Sequence, residues 1–94
     1  MSTLTGRLEF YRHLRIAKKE GPYAWPGGYP KFYVTRDGSV LSHEALESEW
    51  NAVRRAIVRG DDPQWEVTGM DANWEDPDLY CDHTGKRIES AYAD

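Results

Sequence analysis

The sequence predicts a small α+β domain in which an antiparallel sheet of short hairpins packs against one main helix. The helix is indicated by four apolar residues that recur at spacings of four, three and four: Leu46, Trp50, Val53 and Ile57. This spacing places them on one face of a helix from about 43 to 59. Segments rich in β-branched and aromatic residues lie before and after it, each bounded by turn residues. Strands on both sides of one helix in the chain favour the α+β class.

The predicted helix has recognisable ends. Ser42 can cap the first turn by accepting a hydrogen bond from a free backbone N–H, and Gly60 can end the helix in a left-handed conformation. Glutamates lie in its first half and arginines in its second half, an order that the helix dipole favours. We expect its apolar face to pack in the core rather than to bind a partner.

Three segments predict the strands. "KFYVTRDGSVLS" is typical of a hairpin with Asp37 and Gly38 in its turn. A further strand is predicted around 65–68, in "WEVTGMDANW". "LYC" and "KRIESAY" flank a turn at 82–85 and predict a second, shorter hairpin.

A chain of 94 residues can form one modest core, so residues 1–94 are predicted to be a single domain. It comprises a basic N-terminal segment, 1–20, and a body, 21–94, into which the helix is inserted. "LEFYRHLRIA" is compatible with a strand or a helix, and the run without Gly or Pro from Arg7 to Glu20 slightly favours the helix. "GPYAWPGGYP", residues 21–30, is expected to be a shaped loop that folds onto the core.

The composition predicts a cytoplasmic protein. Cys81 is the only cysteine, which excludes an intramolecular disulfide, and the N-terminus lacks the apolar region of a secretory signal. No apolar run approaches the roughly 20 residues that span a bilayer. We therefore expect no membrane association. We also expect no bound cofactor.

The charge is unevenly distributed along the chain. Residues 1–36 contain seven Lys or Arg and two Glu, a balance of +5, whereas residues 37–94 contain five basic and fourteen acidic residues, a balance of −9. No Lys or Arg lies between Arg59 and Lys86, a span that holds eight carboxylates. Such a run repels nucleic acid and attracts basic surfaces, although it is also compatible with a solvated face that keeps the protein in solution.

Several motifs resemble one group of small uncharacterised proteins encoded by bacteriophages, plasmids and other mobile elements. The matching segments are "AWPGGYPKFYVTRDGSVL", "DDPQW", "NWEDPDLYCDH" and "GKRIESAYAD". The pattern of that group is WPGGYP, a strand ending in a Cys-x-x-Cys knuckle, NWEDP, Cys-Asp-His-Cys-Gly and IESAY. The resemblance extends from Tyr23 to Asp94 and implies a zinc-ribbon-like scaffold. The first 20 residues and the helix lie outside it.

The chain departs from this pattern at three of the four implied zinc ligands. Cys81 remains, and other residues occupy the remaining cysteine positions: Ser42, Ala45 and Thr84. Cys81, His83 and His43 are a conceivable residual site, because Zn²⁺ accepts Cys and His together. However, His43 would have to approach from the start of the helix. We therefore predict a degenerate ribbon without metal, whose turn is held by Gly85 and the flanking strands.

A scaffold that has lost its metal but kept its surface indicates a function in binding. Carboxylates interleaved with aromatic rings can imitate the phosphates and bases of nucleic acid. We expect a phage-type inhibitor, most specifically an anti-CRISPR protein, that binds a host protein or RNA-guided surveillance complex in its basic nucleic-acid groove. No direct binding of nucleic acid is expected. The predicted partner-binding residues are Asp61, Asp62, Glu66, Asp71, Trp74, Glu75, Asp76, Asp78 and Asp82.

Two other functions are weaker on the sequence. A degenerate zinc-ribbon module could bind nucleic acid or a transcription partner through the basic segment 1–20 and the aromatic loop 21–30. An enzyme is disfavoured: Cys81 and His83 could form a catalytic pair, but no residue spacing in the sequence indicates the orienting third group or the oxyanion site that such a pair needs. No phosphate-binding Gly motif precedes a helix. The protein is therefore predicted to have no catalytic residues.

Overall fold

The computed structural model describes residues 3–24 and 27–92, and within them the chain forms three helices and four strands. The helices are α1 (Leu4–Glu20), α2 (His43–Ser48) and α3 (Trp50–Arg59). The strands are β1 (Tyr23–Ala24), β2 (Tyr29–Thr35), β3 (Val40–Ser42) and β4 (Val67–Ala72). The α+β class predicted from the sequence is confirmed. Trp25 and Pro26, part of the predicted aromatic loop, lie outside the described residues.

The sheet is antiparallel and is centred on β2. β3 pairs with one edge of β2 through the predicted hairpin, with Val34 opposite Val40. β4 pairs with the other edge, from Lys31 opposite Ala72 to Thr35 opposite Val67, with an irregularity near the end of β2. β1 pairs with the first two residues of β2. The predicted strand at 65–68 is thus shifted, since β4 begins at Val67 and continues to Ala72.

The helix predicted from 43 to 59 is divided at Glu49, whose backbone leaves the helical conformation with φ −110° and ψ 26°. The two predicted ends are confirmed. Ser42 Oγ accepts a hydrogen bond from the Ala45 N–H at 3.2 Å, and Gly60 ends α3 with φ +69°. Of the apolar stripe, only Trp50 is not fully buried, and its ring stacks on Tyr11 of α1 at 5.8 Å.

The N-terminal segment is a helix rather than a strand. Thr3 caps α1 by accepting a hydrogen bond from the Gly6 N–H at 3.0 Å. Leu14 is fully buried on its inner face. Both ends of α1 are held by basic side chains: Arg7 Nε donates to the carbonyl of Ile57 at 2.8 Å, and Lys31 Nζ donates to that of Ala17 at 2.8 Å. Some of the cationic residues in this half of the chain therefore hold the fold together.

The core lies between the sheet and the three helices and contains residues from every part of the chain. Its buried members include Leu14, Tyr33, Leu46, Val53, Ile57, Val67, Cys81 and Ile88. The C-terminal segment reaches this core through the predicted short hairpin, in which Tyr80 pairs with Arg87 and the Ile88 N–H donates to the Leu79 carbonyl at 2.7 Å. No helix in the described ranges has both the length and the apolarity needed to cross a membrane.

Candidate interaction surface

Three aromatic rings from distant parts of the chain meet at the surface, and we call Tyr29, Trp74 and Tyr92 the aromatic platform. The centroid of Tyr29 lies 4.2 Å from that of Trp74, and Tyr92 lies 6.3 Å from each of them. Trp74 and Tyr92 are nearly parallel, at 14°, while Tyr29 is tilted against both. Trp74 is 43% exposed and Tyr92 is 68% exposed. The platform therefore presents aromatic surface to solvent.

Tyr29 is placed by the turn that precedes β2. The Gly28 N–H donates to the Ala24 carbonyl at 2.9 Å, which closes the turn. Gly27 has φ +112°, a conformation that residues with a side chain rarely adopt. A Cβ atom at Gly27 would also clash with the ring of Tyr29. Gly27 is therefore required both by the backbone of the turn and by the ring packed over it.

Trp74 is held by its neighbour Asn73, which is 3% exposed. Asn73 Nδ2 donates to the carbonyls of Asp76, Ile88 and Glu89 at 3.0, 3.3 and 3.1 Å. Asn73 Oδ1 accepts a hydrogen bond from the Asp76 N–H at 3.2 Å. One buried amide thus ties the loop after β4 to the C-terminal segment, which explains physically why an asparagine lies before Trp74.

Tyr92 is brought to Trp74 by backbone pairing. The Ala91 N–H donates to the Asn73 carbonyl at 2.9 Å, and the Tyr92 N–H donates to the Trp74 carbonyl at 2.8 Å. A hydrogen bond with the side chain of Tyr29 raises the pKa of the Tyr92 hydroxyl above its ordinary value. The platform is therefore joined through its backbone as well as through ring contacts.

The acidic loop, residues 75–78, continues directly from Trp74. Glu75, Asp76 and Asp78 are all exposed. Their backbone is ordered by local bonds, such as that from the Asp78 N–H to Asp76 Oδ1 at 2.9 Å. Arg87 contacts the loop at the Pro77 carbonyl, at 3.5 Å. Carboxylates and exposed rings are thus adjacent here, as the sequence predicted.

Three other predicted site residues lie around Trp65. Asp61 and Asp62 line a groove together with two arginines of α3, Arg55 and Arg59. Asp82 lines a second groove on Trp65, and its Oδ2 accepts a hydrogen bond from the Val40 N–H at 2.7 Å. Asp61 and Asp62 thus lie near basic side chains, and Asp82 takes part in the fold. The structure therefore separates the predicted acidic stretch into regions of different character.

Glu66 does not contribute to the predicted acidic surface, because its side chain is only 1% exposed. Its Oε1 lies 3.3 Å from Arg36 Nη1, within ion-pair distance, but accepts no hydrogen bond from the described residues. Asp71 is exposed on β4, opposite Phe32, and its Oδ1 accepts a hydrogen bond from the Ala72 N–H at 2.8 Å. A count of charges along the chain cannot distinguish these two carboxylates.

Cys81 and Ser42, two of the implied zinc-ligand positions, lie together in the structure. In each turn a backbone N–H donates to the side chain three residues earlier: the Thr84 N–H to Cys81 Sγ at 3.4 Å, and the Ala45 N–H to Ser42 Oγ at 3.2 Å. Burial opposes ionisation of the Cys81 thiol, but hydrogen bonds from Thr84 and Ser42 outweigh it and lower its pKa. Both turns therefore direct a backbone N–H at the side chain of their first residue, Ser42 or Cys81.

The two histidines of the conceivable residual site are engaged elsewhere. His43 Nδ1 lies 2.9 Å from the Tyr33 hydroxyl, and its Nε2 lies 3.2 Å from Glu47 Oε1. His83 packs edge-on against Trp65, with centroids 5.1 Å apart. No group of three or more His, Cys, Asp or Glu within residues 3–24 and 27–92 is arranged to hold a metal ion.

Two platform residues, Tyr29 and Tyr92, were absent from the residues predicted for the site. A signal for them exists in the sequence, since each belongs to a motif of the resemblance, WPGGYP and IESAY, as Trp74 belongs to NWEDP. Compared with known proteins, the chain matches no family model, no curated protein and no solved structure. The case for function therefore depends on this surface.

Proposed function

We propose that the protein is a non-enzymatic inhibitor, encoded by a phage or another mobile element, that acts in the cytoplasm of a bacterial host. It binds a defence nucleoprotein complex in the basic groove that otherwise receives nucleic acid, as an anti-CRISPR protein would. The resemblance to mobile-element proteins supports the inhibitor role. The observation that carries the binding mode is the acidic loop beside the aromatic platform.

This surface has the chemistry needed to imitate nucleic acid. Carboxylates can form charge-assisted hydrogen bonds to the Arg and Lys side chains that bind phosphates. Exposed rings offer the flat apolar faces that bases would offer. The formal net charge of −4 favours approach to a basic groove and opposes binding to nucleic acid itself.

A gel-shift competition tests the proposal. The protein is added to purified type I RNA-guided surveillance complexes before their target DNA, and the protein alone with DNA is the control. We expect loss of the shifted DNA complex and no shift by the protein alone. The double variant Glu75→Gln/Asp76→Asn should require about tenfold more protein for the same inhibition.

The matched control is Glu9→Gln/Glu20→Gln, which removes the same charge from two exposed positions of α1 outside the predicted partner-binding residues. This control should inhibit like the wild-type protein. Inhibition that is equally strong for both double variants and the wild type would contradict mimicry by the acidic loop.

A second function, binding of nucleic acid, is favoured by the outer face of α1. Arg12, Arg15 and Lys19 are exposed there and lie three and four residues apart, on one side of the helix. Cations at this spacing can contact successive phosphates. If the protein alone shifts DNA or RNA in a salt-dependent manner, and Arg12→Gln/Arg15→Gln/Lys19→Gln abolishes the shift, this function replaces the first.

A further inference from the structure

We infer that the aromatic platform and the acidic loop together bind an arginine side chain of the partner protein. The inference rests on the proposed function, and it specifies the chemical group that the surface recognises. The indole of Trp74 is the central element, because indole is the best aromatic receptor for a cation. With 43% of Trp74 exposed, part of that ring is open to a ligand.

The charge next to the ring favours a cation. Glu75 and Asp76 follow Trp74 directly in the chain, and both are exposed. The exposed ring and these carboxylates thus belong to one short exposed segment of the chain. Charge complementarity and exposed aromatic surface are independent features, and they coincide at this place in the molecule.

The combination selects arginine over lysine. A guanidinium is planar, stacks on aromatic faces and presents five N–H donors in a fork that matches a carboxylate. An ammonium group is a compact and strongly hydrated charge that does not stack. Flat rings beside carboxylates thus fit the guanidinium group better. Nucleic-acid grooves are rich in this group, because arginine binds phosphates in a bidentate manner.

The site is held in place before any ligand arrives. Asn73 makes four side-chain hydrogen bonds around the loop, and the backbone of Tyr92 pairs with that of Trp74. Pre-organisation lowers the entropy that binding must overcome. A partner arginine would therefore be ordered on a surface that is already formed.

The test is a nuclear magnetic resonance titration of the whole 94-residue chain with two short peptides. One is acetyl-(Gly-Arg)-(Gly-Arg)-(Gly-Arg)-amide and the other has lysine at each arginine position. The indole N–H signal of Trp74 is assigned by its loss in the Trp74→Phe variant. We expect the arginine peptide to shift this signal with an affinity at least about fivefold higher than that of the lysine peptide.

Four variants locate the site. Trp74→Ala lacks the indole signal and is followed instead through the backbone amide signals of the acidic loop; it should weaken binding at least about threefold. Tyr92→Ala should weaken binding similarly without affecting the fold, because Tyr92 is 68% exposed. Glu75→Gln/Asp76→Asn should weaken binding about tenfold, whereas the charge-matched Glu9→Gln/Glu20→Gln should change it less than about twofold. Equal affinities for the two peptides, or equal losses in the two double variants, would overturn the inference.

The outcome is separable from that of the proposed function. If the arginine peptide binds selectively at Trp74 but the protein leaves surveillance complexes bound to DNA, the arginine site is supported and the choice of target is wrong. If the protein displaces DNA but shows no selectivity between the peptides, inhibition stands and the arginine site is refuted.

Discussion

Replacement of Asn73 is the most informative single change, because this residue joins the loop of Trp74 to the C-terminal segment. Its side chain is 3% exposed and takes part in four hydrogen bonds: the two hydrogens of Nδ2 are shared among three carbonyl oxygens, and Oδ1 accepts one bond. Each typical hydrogen bond contributes about 0.5–1.5 kcal/mol to stability, and buried groups left without partners add to the loss. We therefore expect Asn73→Ala to lower the free energy of unfolding by about 2–4 kcal/mol.

Such a loss is large for a chain of this size. In a domain of under about 100 residues, each kcal/mol shifts the midpoint of thermal unfolding by about 4–8 °C, so the expected decrease is about 10–30 °C. The assay is thermal and urea unfolding followed by far-ultraviolet circular dichroism. The matched control is Asn51→Ala on the exposed face of α3, which should change stability by less than about 0.5 kcal/mol.

The isosteric variant Asn73→Asp separates hydrogen bonding from packing. Its shape is nearly that of asparagine, but a carboxylate oxygen replaces Nδ2 and faces the carbonyl oxygens of Asp76, Ile88 and Glu89. We expect it to destabilise at least as much as Asn73→Ala. A stability for Asn73→Asp within about 0.5 kcal/mol of the wild type would refute the reasoning, because shape alone would then account for the role of Asn73.

Three further predictions address other parts of the molecule. Burial lowers the pKa of His43 below its ordinary value of 6.5, so the imidazole binds a proton less readily in the folded protein than in the unfolded chain. The free energy of unfolding should therefore decrease below pH 6.5, by up to about 1.4 kcal/mol per pH unit. Urea unfolding at pH 7.5 and 5.5 should show this pH dependence reduced in His43→Gln, and an unchanged dependence contradicts it. Gly27→Ala should destabilise the turn by about 1–3 kcal/mol and weaken binding of the arginine peptide, whereas wild-type behaviour in both assays would exclude a clash with Tyr29. A variant with Ser42→Cys, Ala45→Cys and Thr84→Cys has all four cysteines that the zinc-ribbon resemblance implies. It should bind one Co²⁺ or Zn²⁺ at a site that depends on Cys81, and bound Co²⁺ should be visible by its absorption. The absence of such a site would count against the resemblance.

Features that depend on neighbouring residues were predictable from the sequence. The cap at Ser42, the end at Gly60 and the turn at Asp37 and Gly38 depend on local backbone geometry, and each is present. The break at Glu49 was not predictable, because the apolar spacing continues across it. On either side of the break the helices have different neighbours in the sheet: α2 contacts β2 and β3, whereas α3 contacts β4.

The surface was predictable only in part, because exposure depends on the whole fold. The carboxylates of the acidic loop and Trp74 were identified from charge and aromatic content. Glu66 has the same chemistry but is buried beside Arg36, which no pattern of charges along the chain could indicate. Tyr29 and Tyr92 are brought to Trp74 by the turn before β2 and by the backbone pairing of the C-terminal segment, which are not visible as local patterns in the sequence.

The platform is better explained by binding than by core packing. Tyr92 is 68% exposed and Trp74 43% exposed, so much of their apolar surface contributes nothing to the hydrophobic core. Yet their positions are closely specified, by the backbone pairing of Tyr92 with Trp74, by the buried amide of Asn73 and by the glycine beneath Tyr29. Rings that are fixed but left open to solvent add little to stability. They do reduce the cost of ordering when a flat cationic group binds, which is the property that an arginine-binding surface requires.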